Sequence, residues 1–171
     1  MKTYEVAPKN VSERVAALLK KHYPLHHKLG VTVEVLFVAH DAEGPALKHG
    51  GYPAAGVIRK TSAKERAAGR ADAEMVLDAE VYKTFTPRRQ DALLHHELHH
   101  LIVDLDAKTK QPKADAAGRP VLKIRRHDHQ FGWFDEIARL YGDDSGEVQQ
   151  ARQLLHEQGQ LYFKFKAEAA A

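Results

Sequence analysis

The strongest chemical signal in the chain is the run LLHHELHH at residues 93–100, which contains the frame His96-Glu97-Leu98-His99-His100. If the run is helical, the i, i+4 spacing sets His96 and His100 on one face, one turn apart. Both imidazoles can then reach a single metal ion without bending the backbone. Zn²⁺ suits such a pair, because its bonds to imidazole nitrogen are about 2.0–2.1 Å long. Glu97 projects beside the ion, where it can take a proton from a zinc-activated water as general base and return it to the leaving amine. The chemistry expected of this arrangement is hydrolysis of peptide bonds.

Composition alone would produce such a five-residue match in roughly six per cent of shuffled sequences, so its setting has to carry the reading. Pro87 opens a stretch without a breaker, PRRQDALLHHELHHLIVDL, which predicts a helix over 87–105. Leu94, Leu98, Leu101 and Leu105 recur on it as an apolar stripe, so one face should pack on a core while the motif flanks it. His95 and His99 form a second i, i+4 pair, expected to be surface residues or outer hydrogen-bond donors. Asp104 lies four residues after His100 and is a candidate to orient that imidazole.

The remaining composition narrows the chemistry. There is no cysteine among 171 residues, which excludes disulfides, thiolate metal sites and a cysteine nucleophile, while twelve histidines can supply nitrogen ligands. The chain is 43% hydrophobic and 29% charged, the range of one globular domain. Its net charge is only +3, weak support for a nucleic-acid partner. Basic residues do gather locally, as Arg59, Lys60, Lys64, Arg66 and Arg70, and again from Lys108 to Arg126, and both runs read as solvated loop faces. The opening segment MKTYEVAPKNVSERVAALLKKHY lacks the apolar core and cleavage site of a secretory signal, and no long apolar run follows, so a cytoplasmic protein with no membrane partner is expected.

The elements that must position the motif can be read from periodicity. Val11, Val15, Leu18 and Leu19 predict an amphipathic helix over 10–22, capped at Asn10 or Ser12 and ending before Pro24. Strands are expected at 31–39, 54–61 and 73–85, forming a small, mostly antiparallel sheet. Residues 106–120 read as a surface loop or hairpin tip leading into VLKI. A helix beginning near Asp128 would carry Phe131, Phe134, Ala138 and Tyr141 inward and stop at Gly142. A last helix is expected over about 145–158, followed by a frayed AEAAA tail.

Taken together, AEMVLDAEVYKTFTPRRQDALLHHELHHL, the strand ending in KIRRHD and the helix FGWFDEIARLYG resemble the metallopeptidases of phages and prophages, across roughly residues 30–142. The resemblance implies a single zincin-like α+β domain over 1–171, with a core at about 10–142. In it a small, mostly antiparallel sheet packs against an N-terminal helix and the motif helix, with C-terminal helices beyond. It implies Zn²⁺ as cofactor, a peptide or protein substrate, and action in the bacterial host cell. By the same implication His96 and His100 are metal ligands, Glu97 is the catalytic base and His127 is the third ligand.

Alternatives for that third ligand remain. His129 stands two residues beyond His127. Glu136 would give a two-histidine, one-glutamate site. Asp106 ends an H-E-x-x-H-x-x-G-x-x-H/D pattern in which Val103 replaces the glycine needed for the turn. From other functional classes, a zinc-stabilised binding module would close all four positions using both His127 and His129, and a basic nucleic-acid-binding protein would carry the motif incidentally.

Overall fold

The computed structural model describes residues 1–42, 44–127 and 134–157, with side chains as far as Gln153. Strand β1 (Lys2–Val6) leads through Pro8 into α1 (Lys9–His22), which buries Val11, Val15, Leu18 and Leu19 as its periodicity predicts. Neither Asn10 nor Ser12 caps this helix; it starts directly after Pro8, whose extended backbone sets the entry. Pro24 then opens the short α2 (Pro24–Lys28). Next come β2 (Val33–His40), the two-residue strands β3 (Lys48–His49) and β4 (Tyr52–Pro53), β5 (Gly56–Lys60), α3 (Ala63–Ala67) and β6 (Ala73–Asp78).

The main sheet has the order β1-β2-β6-β5 and is mixed; it is mostly antiparallel, as expected, with one parallel pair at its centre. The outer pairs β1–β2 and β5–β6 are antiparallel, but the central pair β2–β6 is parallel. After β2 the chain forms the β3–β4 hairpin, enters the far edge of the same sheet as β5, and returns through α3 to insert β6 between β5 and β2; that long connection permits the parallel β2–β6 pairing. Strand β1 escaped the sequence reading because it is exposed at every position, so no alternation of buried and exposed residues marks it.

The strand expected over 73–85 ends at Asp78, and α4 (Ala79–Thr84) follows at once. The Asp78 carboxylate, 1% exposed, accepts from the Val81 backbone N–H at 3.2 Å, capping α4. It also accepts from the backbone N–H groups of Ala46 and Leu47 at 2.6 and 3.2 Å, tying the loop before β3 to the sheet. One buried side chain thus ends a strand, starts a helix and anchors a loop, a role that apolar alternation does not reveal.

Helix α5 (Pro87–His99) has Pro87 at its first position and Thr86 as cap, its hydroxyl accepting from Arg89 N–H at 3.3 Å. It is shorter than the 87–105 expected. His100 is its final cap, and Leu101–Val103 form β7, paired antiparallel with β8 (Leu122–Ile124). The leucine stripe is therefore split: Leu94 and Leu98 are buried on the helix, Leu101 is buried on a strand and Leu105 is 40% exposed. Ile102 and Val103 favour extended backbone, and a partner strand makes that state stable. The intervening loop is a hairpin extension, with bridges Leu105↔Pro112 and Ala114↔Pro120.

Helix α6 (Asp135–Tyr141) ends at Gly142, which takes φ +52°, and a 3₁₀ turn leads to α7 (Gly146–Glu157). Phe134 is extended and sits just outside α6, which begins at Asp135. The expected cap Asp128, together with His129, Phe131 and Trp133, lies outside the described residues, as does the AEAAA tail. The core forms where α1 and α5 cover the sheet, with Val35, Met75 and Leu77 meeting Val15, Leu94 and Leu98. No helix among the described residues is long and apolar enough to cross a membrane.

Candidate metal centre

The last two turns of α5 place His96 and His100 on one face, with ring centroids 5.2 Å apart. Each ring is oriented through its Nδ1. His96 Nδ1 donates to Glu147 Oε1 at 2.7 Å, and His100 Nδ1 donates to the Arg125 carbonyl at 2.8 Å. Because a carboxylate and a carbonyl accept, each Nδ1 carries a proton, which leaves Nε2 as the ligand atom of each ring in its neutral form. Strand β8 brings in the third histidine. Arg125 N–H donates to the His100 carbonyl at 2.7 Å, and two residues later His127 places Nε2 3.2 Å from His96 Nε2.

Among the described residues, His96, His100 and His127 are the one group of three whose ligand atoms all lie within 4.8 Å of one another. Two nitrogens bound tetrahedrally to one ion at about 2.0–2.1 Å would be about 3.3–3.4 Å apart, close to the His96–His127 separation. The donor set therefore fits Zn²⁺. Of the alternative ligands, the Asp106 carboxylate accepts from Lys108 N–H, Thr109 N–H and the Thr109 hydroxyl of its own turn, and Glu136 is exposed on α6. Neither belongs to the group. His129 lies outside the described residues.

Glu97 is 4% exposed and packs against the edge strand β5. Its carboxyl is pushed up to about 7, chiefly by burial and also by Glu147, with the charge of His96 and a hydrogen bond from the Ile58 backbone opposing the rise. Its fit depends on Gly56: a Cβ there would lie 3.0 Å from Glu97 Oε1 and 3.1 Å from its Cγ. At His96, burial alone would lower the pKa, but the Glu147 hydrogen bond and the two carboxylates outweigh it and raise it. His100 is lowered to about 4, mainly by burial, with the other histidines adding to the effect. A neutral imidazole is the form a metal needs.

Two further residues belong to the site: Glu147, which no sequence signal singled out, and Phe134, which the spacing marked as inward-facing but did not place against the histidines. Glu147 has a side chain only 1% exposed and reaches His96 from the first turn of α7. Placed just after Ser145, which caps α7, it reads in sequence as an ordinary acid at a helix N-terminus. Phe134, fully buried, sets its ring 4.9–5.0 Å from those of His96, His100 and His127, an apolar shelf beneath all three.

Other sequence readings of the neighbourhood need correction. His95 is not a surface residue: it is 1% exposed, its Nδ1 meets the Tyr141 hydroxyl at 3.2 Å, and burial drives its pKa down to about 3. His99 Nδ1 meets the Tyr23 hydroxyl at 3.1 Å and its Nε2 meets Arg125 at 2.7 Å. Asp104 does not orient His100, since it is held by Lys123 and Lys113 at 2.7 and 3.4 Å. The basic runs are not simply solvated either. Arg59 pairs with Glu65 and Glu74, while Arg66 and Arg119 converge on buried Asp72 and pin the long hairpin to the sheet. The histidines open onto a cleft of about 920 Å³, bounded by β5, the face of α5, the residues after β8 and the start of α7.

Fold and cluster together define an α+β protein with three histidines arranged to hold one metal ion beside a buried glutamate. A family model described as "Putative phage metallopeptidase" matches residues 2–157, and the chain belongs to that family. The match extends beyond the 30–142 region to take in both β1 and α7, the helix that supplies Glu147. Comparisons with curated proteins and with solved structures gave no match.

Proposed function

We propose that this protein is a zinc-dependent peptidase in which His96, His100 and His127 hold the ion and Glu97 is the general base. The observation that carries the reading is the convergence of three imidazole nitrogens within 4.8 Å, directly beside a buried glutamate at the mouth of a cleft. Zinc, when bound, would lower the pKa of a coordinated water and polarise the scissile carbonyl. Glu97, held near neutrality by burial, can accept a proton at its carboxylate and return it to the departing amine at working pH. Glu147 and the Arg125 carbonyl keep the Nδ1 protons in place, so His96 and His100 stay oriented. Phe134 keeps water from one side of the cluster. We read the chain as a single zincin-like domain, in line with the extent of the family match and the helix-borne motif.

The test is metal analysis of natively purified protein paired with peptide hydrolysis. Wild type should carry one zinc per chain. Glu97→Gln should keep zinc and fold while losing about two to four orders of magnitude of activity, because it removes the proton carrier and no ligand. His127→Ala should lose the metal. Zinc content near zero after supplementation would sink the reading, and full activity in Glu97→Gln would remove Glu97 from the chemistry.

A further inference from the structure

Among the described residues, two arginines that line the cleft, Arg89 and Arg126, have no ion pair. Glu97 and Glu147 are its acidic lining residues, and both are buried, one against β5 and the other on His96. Arg89 lies two helical turns before His96 on the same face of α5, about 10 Å away along the helix axis at 1.5 Å per residue. Its guanidinium stacks on Phe85, 3.8 Å from the ring centroid. It has no ion pair among the described residues. Asp144, which acts on it electrostatically, is taken by Arg88 at 2.9 Å.

This placement runs against local stability. Helix N-termini favour acidic residues, yet the first turn of α5 has none and carries two arginines. A half-buried guanidinium without a counter-ion at the positive end of a helix dipole weakens the fold unless a ligand completes it. Arg126, exposed and immediately before His127, lines the same cleft and has no ion pair among the described residues.

We propose that Arg89, seconded by Arg126, recognises an acidic side chain of the peptide substrate, so that the enzyme selects acidic sequences. The inference rests on the peptidase reading above. The Phe85 ring beneath Cζ supports the guanidinium from one face, and among the described residues its N–H groups hold no carboxylate, so they can take one in bidentate fashion. An extended peptide advances about 3.3 Å per residue, so a 10 Å offset puts the acidic residue about three positions from the scissile bond.

Quenched fluorescent peptides, identical except for Glu or Gln at each position within four residues of the cleaved bond, would measure the preference. Wild type should favour Glu at one position by at least about tenfold in kcat/KM, the worth of one charge-assisted hydrogen bond. Arg89→Gln should erase that preference while leaving the Gln peptide, the zinc content and the circular dichroism spectrum unchanged; Arg89→Lys should retain part of it. Binding of a labelled Glu peptide to Glu97→Gln protein should weaken in the same order when the Arg89 substitutions are added. Cleavage with no acidic preference, or a preference that survives Arg89→Gln, overturns the assignment alone. Absence of both cleavage and binding overturns it together with the peptidase reading, and displacement of the acidic peptide by a short single-stranded oligonucleotide reassigns the guanidinium to phosphate.

Discussion

Gly56 shows how narrowly the Glu97 carboxylate, the proposed general base, is held. Its backbone needs no positive φ, so glycine is required there for space and not for conformation. The Cβ of Gly56→Ala would press on Glu97 Oε1, Cγ and Cδ at 3.0–3.2 Å, and the buried side chain has little room to retreat. Displacement of a reacting group by even a fraction of an ångström is costly, and about 1 Å can cost roughly a hundredfold in rate. Gly56→Ala is therefore expected to keep zinc, which Glu97 does not bind, while kcat falls by about tenfold to a hundredfold. Steady-state kinetics on metal-loaded protein check this; wild-type turnover would mean that Glu97 is not confined as described.

At the scale of elements, the site is a meeting of three pieces that are remote in sequence: the end of α5, the residues after β8 and the start of α7. The β7–β8 ladder locks Arg125 to His100 by two hydrogen bonds, one from each residue's N–H group, and so delivers His127 to the helix end. Helix α7 contributes through Glu147, whose buried carboxylate fixes the His96 tautomer. Replacing it by Gln keeps the shape but removes the charge that favours the Nδ1 proton. Glu147→Gln should weaken zinc binding by about tenfold to a hundredfold, as is usual for an outer partner of a ligand histidine. Competition against a chromophoric chelator measures it, and unchanged affinity would reduce Glu147 to a packing residue.

Across the whole molecule, a bound ion would cross-link these three pieces and so stabilise the fold by mass action. With free zinc at about a thousand times its dissociation constant the gain is about 4 kcal/mol. For a chain of this size that corresponds to roughly 8–16 °C in Tm. Calorimetry should show a fall of that order on chelation in wild type and almost none in His96→Ala; equal melting with and without chelator would contradict the cross-link. The motif and the helix that carries it were legible in sequence, because His96, Glu97 and His100 lie within about one turn and local periodicity sets how they are presented. The amphipathic α1 and the stop at Gly142 were legible for the same reason. The end of α5 at His99, the parallel β2–β6 pair and the exposed β1 were not, since each is decided by pairing with strands distant in the chain. The same holds for Glu147 and Gly56, an acid and a glycine with no distinguishing local pattern, while Phe134 was read as inward-facing but only packing brings its ring onto the histidines.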